Sequence, residues 1–213
     1  MIATSVFVLN YLGELIQRQP RELFEHSHAV ASLAGDLAES IGCSRIEQER
    51  IRVGSLLHDI GKQFIPTSIL EKQGKLTFTE YEHIQQHPWL GYEYLNNFTS
   101  DTILLNTVLY HHEHWDGSGY PYGLKMSQIP LGARICALSD VWDALRSERC
   151  YHHAWSVSEA AEHLWSRAGT LFDPTLAHHF LNMMERRATI DQDTLMRTPE
   201  LIRDREQHTP ALE

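Results

Sequence analysis

The sequence predicts an all-α fold: a helical bundle around an ordered loop and a cluster of histidines and carboxylates. Three observations carry this expectation. Apolar residues recur three and four apart along most of the chain, the period of an amphipathic helix, and no alternating run is long enough for a sheet. Ser44, Thr77 and Ser156 are each followed three residues later by glutamate, a pairing that caps helix starts. Histidines and aspartates fall where these helices begin and end.

Taken in order, Phe7, Leu9, Leu12, Leu15 and Ile16 form a first apolar stripe, which Pro20 stops or restarts. A second helix is expected over residues 21–41, closing at Gly42. Ser44 and Glu47 open a third, with a core face of Ile46, Val53, Leu56 and Leu57. It delivers His58-Asp59 at its C-terminal end, with Gly61 as terminator. Neighbours on a helix point about 100° apart, so such a pair can share an ion only where the helix frays.

Residues 66–72 predict a short helix. Thr77 and Glu80 open another, carrying Tyr81, Ile84 and His87, which Pro88 kinks or divides. A helix over 101–110 ends at His111-His112. Residues 113–130, rich in glycine and proline, form an ordered loop. Helices return over 131–145, over 156–168, and from Asp173, an N-cap followed by Pro174 in the first turn. Past Arg187 the chain turns polar. The expected organisation is an N-terminal helix over 1–19, one domain over 20–187, and a polar tail or terminal helix over 188–213.

A chain of 213 residues suits one domain with a buried core. The net charge of −10 argues against a nucleic-acid polymer as partner, since a groove for one needs clustered cations. Phosphate chemistry is still open to an acidic protein when metal ions stand between it and the ester. Cys43, Cys136 and Cys150 are isolated, which argues against a thiolate zinc site and a disulfide framework and fits a reducing cytoplasm. No apolar run reaches membrane-spanning length and no leader peptide is evident, so the expectation is a cytoplasmic protein without a membrane partner.

Histidine is abundant, with 14 residues against 18 lysines and arginines. Glu22 and His26, four apart, share a helix face. His58-Asp59, His87, His111-His112 and Asp140 follow on further helices. Each alone reads as an ordinary core or surface residue; together they read as ligands converging inside a bundle. Eight ligands are too many for one ion and suit two or three that share a bridging carboxylate and water. Oxygen and imidazole donors suit iron, manganese, zinc or cobalt. His28, His83, His114, His163, His178 and His179 have no place in the pattern and are read as structural or exposed. His83 shares the face of His87 and has the option of supporting it from a second layer.

The ordered set His58-Asp59-Ile60-Gly61-Lys62, His87-Pro88 with Gly91, His111-His112-Glu113 and Trp115-Asp116-Gly117-Ser118-Gly119-Tyr120-Pro121 closely resembles the HD-GYP family, a branch of the HD superfamily of metal-dependent phosphohydrolases. The resemblance continues through Ile129 to Arg134, Ser139 to Leu145 and Gly169 to Pro174. It covers residues 22–180, most of the chain. It implies an HD-superfamily helical bundle with a buried di- or trinuclear centre, commonly iron or manganese, and hydrolysis of cyclic di-GMP or, in some members, cyclic GMP-AMP. Carried over by position, the ligands are His26, His58, Asp59, His87, His111, His112 and Asp140, with Asp59 as the bridge. Glu22 matches the carboxylate that accompanies a third ion in some members.

Two adjacent cations would neutralise a phosphodiester and lower the pKa of a bridging water from about 15.7 toward neutrality. The expected step is in-line attack of that hydroxide, releasing linear pGpG, GMP or both. Asp59 anchors the bridge, and Lys62 neutralises a phosphate oxygen. Gly119, Tyr120 and Pro121 form the substrate side, Tyr120 offering a ring to guanine or a hydroxyl to phosphate. One departure concerns the phosphate grip. Where the family shows an Arg-Pro-Tyr-Arg-Lys-like stretch, this chain reads Arg149-Cys150-Tyr151-His152-His153. Arg149 is kept, but His152 brings a weaker, pH-dependent charge. A second is Ala29, where an arginine often stands. The alternatives are a signalling module with weak or no turnover, bound to a partner such as a diguanylate cyclase or to a second copy, and a phosphohydrolase acting on another nucleotide.

Overall fold

The structure is a computed structural model that describes residues 21–148 and 154–188. The expected helix over 1–19, the stretch Arg149, Cys150, Tyr151, His152 and His153, and the tail from 189 onward lie outside the described residues. So does the side chain of Glu22, whose backbone is helical.

The helices begin and end where the local chemistry allows. α1 (Arg21–Ser40) closes with Gly42 at φ +83°, a left-handed conformation suited to glycine. α2 (Arg45–Leu56) opens on the Ser44–Glu47 capping box: the Ser44 hydroxyl accepts from the Glu47 amide, and the Glu47 carboxylate accepts from the Ser44 amide at 2.9 Å. A 3₁₀ turn over Ile60–Phe64 leads to the short α3 (Thr67–Leu70). α4 (Phe78–Ile84) has its own box at Thr77 and Glu80.

Pro88 divides the next stretch, so α4 stops at Ile84 and α5 (His87–Asn96) starts afresh. The cause is covalent, because Pro88 has no N–H to give the Ile84 carbonyl. α6 (Thr102–Tyr110) is capped by Asp101, which accepts from the amides of Ile103 and Leu104. After the loop come α7 (Leu131–Arg146), α8 (Val157–Ser166), boxed by Ser156 and Glu159, and α9, helical over 174–188. Among the described residues there is no strand, only an isolated bridge between Ala168 and Phe172.

Two apolar clusters hold the bundle together. Leu37, Ile51, Leu138, Trp142, Leu164 and Phe180 are central to the larger one, which joins α1, α2, α7, α8 and α9. Leu57, Ile60, Leu95, Leu104, Leu105 and Val108 form the smaller one, joining the end of α2 to α5 and α6. His58, His87 and His111 are fully buried.

Two sequence expectations need correction. Ile46 is 63% exposed and is not core: it occupies the first turn of α2, and burial falls on later turns, at Ile51, Gly54 and Ser55. Gly61 does not terminate a helix. α2 has already ended at Leu57, and Gly61 belongs to the 3₁₀ turn without a left-handed φ. Its role is close approach. A Cβ on Gly61 would lie 1.9 Å from the His87 carbonyl oxygen and 2.6 Å from the Gly91 amide nitrogen. The missing side chain lets α5 touch the His58-Asp59 turn backbone to backbone, and that contact delivers His87.

Overpacking costs about 1–3 kcal/mol where neighbours can adjust, and occasionally more. Gly61→Ala strikes backbone on both sides and is expected at or above the top of that range. At Gly91 the nearest atom is a Val108 methyl carbon, 3.1 Å from a built Cβ, so Gly91→Ala should cost less. Urea unfolding midpoints of the two variants check the order, and equal losses would contradict the close-approach role of Gly61.

Candidate metal centre

His58 and Asp59 follow the last turn of α2, and Asp59 precedes the 3₁₀ turn at φ −95°, ψ 5°. His87 opens α5, His111 closes α6, and His26 and Asp140 lie inside α1 and α7. The structure gathers these residues into two groups. In the first, Asp59, His87, His111 and His112 each offer a ligand atom within 4.8 Å of the others; in the second, His26, His58 and Asp140 do the same.

Asp59 stands between the groups. Its Oδ1 lies 3.2 Å from His87 Nε2 and 4.0 Å from His111 Nε2, while its Oδ2 lies 3.3 Å from His58 Nε2. On the far side, Asp140 Oδ1 is 3.1 Å from His26 Nε2 and 3.9 Å from His58 Nε2.

The ring nitrogens facing away from the site decide the tautomers. Nδ1 of His58, His87 and His111 each lies 2.7 Å from a backbone carbonyl three residues earlier, of Ser55, Ile84 and Val108. A carbonyl only accepts, so each Nδ1 carries the proton, and Nε2 is the nitrogen turned inward, bare whenever the ring is neutral. The Ile84 carbonyl is the one that Pro88 left free. His87 Nε2 and His111 Nε2 then face each other at 3.3 Å. Two lone pairs at that distance repel unless a cation or a proton stands between them. His58 Nε2 and Asp59 Oδ1 are buried without a hydrogen-bond partner. This is a donor set that fits a metal ion.

The electrostatics divide the rings: at His26 and His58 burial disfavours the charge, but the Asp59, Asp140 and Asp143 carboxylates outweigh it, raising His58 and lifting His26 to about 9. Burial, reinforced by the neighbouring histidines, holds His111 and His112 well below the ordinary histidine range, so both stay neutral. Burial also works against the charge on Asp59, but His58 and Lys62 overcome it and keep the carboxylate ionised. For Asp140 burial is likewise outweighed, chiefly by the hydrogen bond to His26, and its pKa falls to about 2. Lys62 Nζ lies 2.5 Å from Asp59 Oδ2.

The glycine-rich loop is built onto the histidine doublet. Glu113 is 3% exposed, and its carboxylate accepts from the amides of Tyr122 at 2.7 Å and Leu124 at 3.0 Å. The Tyr120 amide donates to the His112 carbonyl at 3.1 Å, and the Tyr120 ring stacks on His112 with centroids 4.8 Å apart. A Cβ on Gly119 would lie 2.4 Å from that same carbonyl oxygen, and Gly117 needs its φ of +84°. Pro121 is exposed on the rim. From outside, the amides of Trp115 and Asp116 donate to the carbonyls of Leu171 and Thr170. Arg134 bonds the Ile129 carbonyl and Asp173 and lies over the Trp115 ring. The Ile129–Arg134 and Gly169–Pro174 motifs are therefore braces for the loop.

Seven predicted ligands are thus brought together, from His26 to Asp140. Glu22, Arg149 and His152 fall outside what is described. His83 does not support His87: it is exposed, bonds the Thr79 carbonyl, and finds His87 Nδ1 already taken. Two residues that the sequence reading did not single out belong to the site. Glu113 directly follows the doublet. Asp143, 8% exposed, lies 2.6 Å from His26 Nδ1 and was legible only as the residue three past Asp140.

The HD domain family model matches residues 10–176. This chain belongs to the HD-domain family. Its motifs and relatives place it in the HD-GYP branch. The HD domain is 45% identical over 147 residues to the "Cyclic di-GMP phosphodiesterase response regulator RpfG" of Xanthomonas campestris, an alignment covering 68% of this chain and 39% of that protein. It is 38% identical over 178 residues to a "Cyclic di-GMP phosphodiesterase" of Thermotoga maritima, covering 83% of this chain and 48% of the relative. With the "3'3'-cGAMP-specific phosphodiesterase 2" of Vibrio cholerae it shares 37% identity over 180 residues, covering 84% and 34%. The chain thus spans less than half the length of these relatives.

Among solved structures, the cyclic GMP-AMP phosphodiesterase V-cGAP3 of V. cholerae superposes with a TM-score of 0.61 at 22% identity, over 76% of this chain and 44% of that one. An HDG"Y"P protein of Bdellovibrio bacteriovorus gives 0.61 at 21%, over 75% and 51%. These likenesses establish the fold. No helix among the described residues of the HD domain is long and apolar enough to cross a membrane.

Glu113→Ala should release the loop, since two amides lose a shared buried acceptor at up to about 3 kcal/mol. Hydrogen exchange at Tyr122 and Leu124 should rise while α1 and α8 stay protected. Unchanged exchange at both amides would mean that Glu113 does not hold the loop.

Proposed function

We propose that this HD domain is a metal-dependent phosphodiesterase that hydrolyses a cyclic dinucleotide, cyclic di-GMP foremost, to linear pGpG, GMP or both. The observation that supports it most is the Asp59 carboxylate, with one oxygen toward each group of inward-facing imidazoles. The likeness to relatives named for cyclic di-GMP and 3'3'-cGAMP supports the substrate class and makes cyclic GMP-AMP the second substrate to try.

Asp59, His87, His111 and His112 would hold one ion and His26, His58 and Asp140 another, with Asp59 shared. The ions are iron or manganese in this reading, and Glu22 is the candidate carboxylate for a third. When bound, such ions neutralise the phosphodiester and acidify water. The protein's own part is to keep the carboxylates anionic and His111 and His112 neutral, which burial and the local charges already do; at His26 and His58 the carboxylates favour a positive charge on the ring, which a bound cation would supply in place of a proton. Lys62, on the outer edge of Asp59, is the cation placed to meet a phosphate oxygen. Gly119, Tyr120 and Pro121 form the substrate-side wall; one face of Tyr120 is spent on His112, leaving its other face and its hydroxyl. Arg149 and His152 add a phosphate grip that weakens as pH rises through the histidine range.

The full chain, purified without oxygen and loaded with iron or manganese, is expected to cleave cyclic di-GMP. If it leaves both cyclic di-GMP and cyclic GMP-AMP intact, the proposal fails. Asp59→Ala should lower bound metal in both groups by elemental analysis, whereas His26→Ala should lower it in one. Lys62→Ala should keep its metal and lose about 10²-fold in turnover, the scale for one preorganised charge-stabilising group.

A further inference from the structure

We propose that Asp143 is the positioning residue of the second metal group, fixing the tautomer and direction of His26 from another helix. The inference rests on the metal reading above and adds a residue that this reading does not use.

His58, His87 and His111 stand at helix ends or breaks, where the carbonyl three residues back takes the Nδ1 proton. His26 lies inside α1, where backbone carbonyls are committed to amides four residues on. It has no local acceptor, so its partner must come from elsewhere. α7 supplies it. Asp143 Oδ2 is 2.6 Å from His26 Nδ1, while Asp140 Oδ1, one helical turn earlier, is 3.1 Å from His26 Nε2. One face of α7 thus clasps both ends of the imidazole.

Asp143 is not itself a ligand. Two donors on one ion, each about 2.0–2.2 Å from it, stand roughly 3 Å apart, more than the Asp143–His26 separation allows. The direct contact is a hydrogen bond in which Nδ1–H donates. With Nδ1 committed to Asp143, Nε2 is the nitrogen that faces Asp140, on the side where His58 completes the group, and it is the one that would take a metal ion in place of its proton. Asp143 is itself held: it is buried, and the Ser147 hydroxyl donates to its Oδ2 at 3.2 Å. Removing a carboxylate that orients a metal-bound histidine typically costs 10- to 100-fold in metal affinity.

The test uses the full chain and Mn(II), with bound metal counted by elemental analysis and affinity read by chelator competition, without substrate. Asp143→Ala should weaken one group's Mn(II) by about 10- to 100-fold and leave the other unchanged. Asp143→Asn keeps the volume and an acceptor oxygen and should fall between wild type and Asp143→Ala, which separates positioning from a failure to fold. Wild-type affinity in both groups of Asp143→Ala, equal loss from both, or an Asn variant no better than Ala would overturn the proposal. Wild-type protein that binds no Mn(II) would overturn it together with the metal reading. Normal Mn(II) binding without cyclic dinucleotide hydrolysis would count against the proposed activity alone.

Discussion

The centre of this protein depends on one electrostatic constraint: acceptors face acceptors. With their Nδ1 protons given to backbone carbonyls, His58, His87 and His111 turn their Nε2 atoms toward the Asp59 carboxylate and toward one another. A buried polar atom without a partner costs about 1–3 kcal/mol, and this fold places two such atoms, His58 Nε2 and Asp59 Oδ1, in the same pocket. An ordinary core removes such conflicts. A site that recruits a cation keeps them, because the ion satisfies the whole set at once.

The bundle's architecture follows from how that constraint is met. A histidine at a helix end has a backbone carbonyl with accepting capacity within reach of its own ring, and three of the candidate ligands sit where α2 ends, where Pro88 splits α4 from α5, and where α6 stops. The contact at Gly61 then presses α5 against the His58-Asp59 turn, allowing ligands from separate helices to converge. His26, from a helix interior, lacks that local solution, and its orientation passes to α7.

Much of this was legible in the sequence, and the exceptions share a cause. All three Ser/Thr–Glu boxes form, Pro88 breaks its helix and Asp173 caps α9, because each is a local rule acting over three or four residues. The candidate ligands and their order along the chain were equally readable, and the structure brings seven of them together. What local rules do not reach is the identity of the opposing surface. Ile46 matches an apolar stripe but lies on a turn that is left exposed. Gly61 resembles a terminator, but its small size serves a helix 26 residues further on, at His87. His83 shares a face with His87, yet the ring it would support has already taken the Ile84 carbonyl. Asp143 and Glu113 act across 117 and 9 residues respectively, distances at which spacing on one helix carries no signal.

The loop follows the same logic. Its tyrosine invites a reading as a substrate contact, but the structure gives its ring a prior task against His112, while Glu113, next in the chain, holds the loop's return through two backbone amides. A loop tied at both points to the doublet cannot shift without disturbing a candidate ligand. Conversely, an ion held by His112 would bind to a ring on which Tyr120 is stacked. The loop and the metal centre are therefore one mechanical unit, and the braces at Arg134 and Asp173 hold that unit against the larger apolar cluster. A loop of this length beside a charged cluster would otherwise be free to sample many conformations. Its anchors confine it to one surface, so the same contacts that order the candidate ligands also fix the loop beside them.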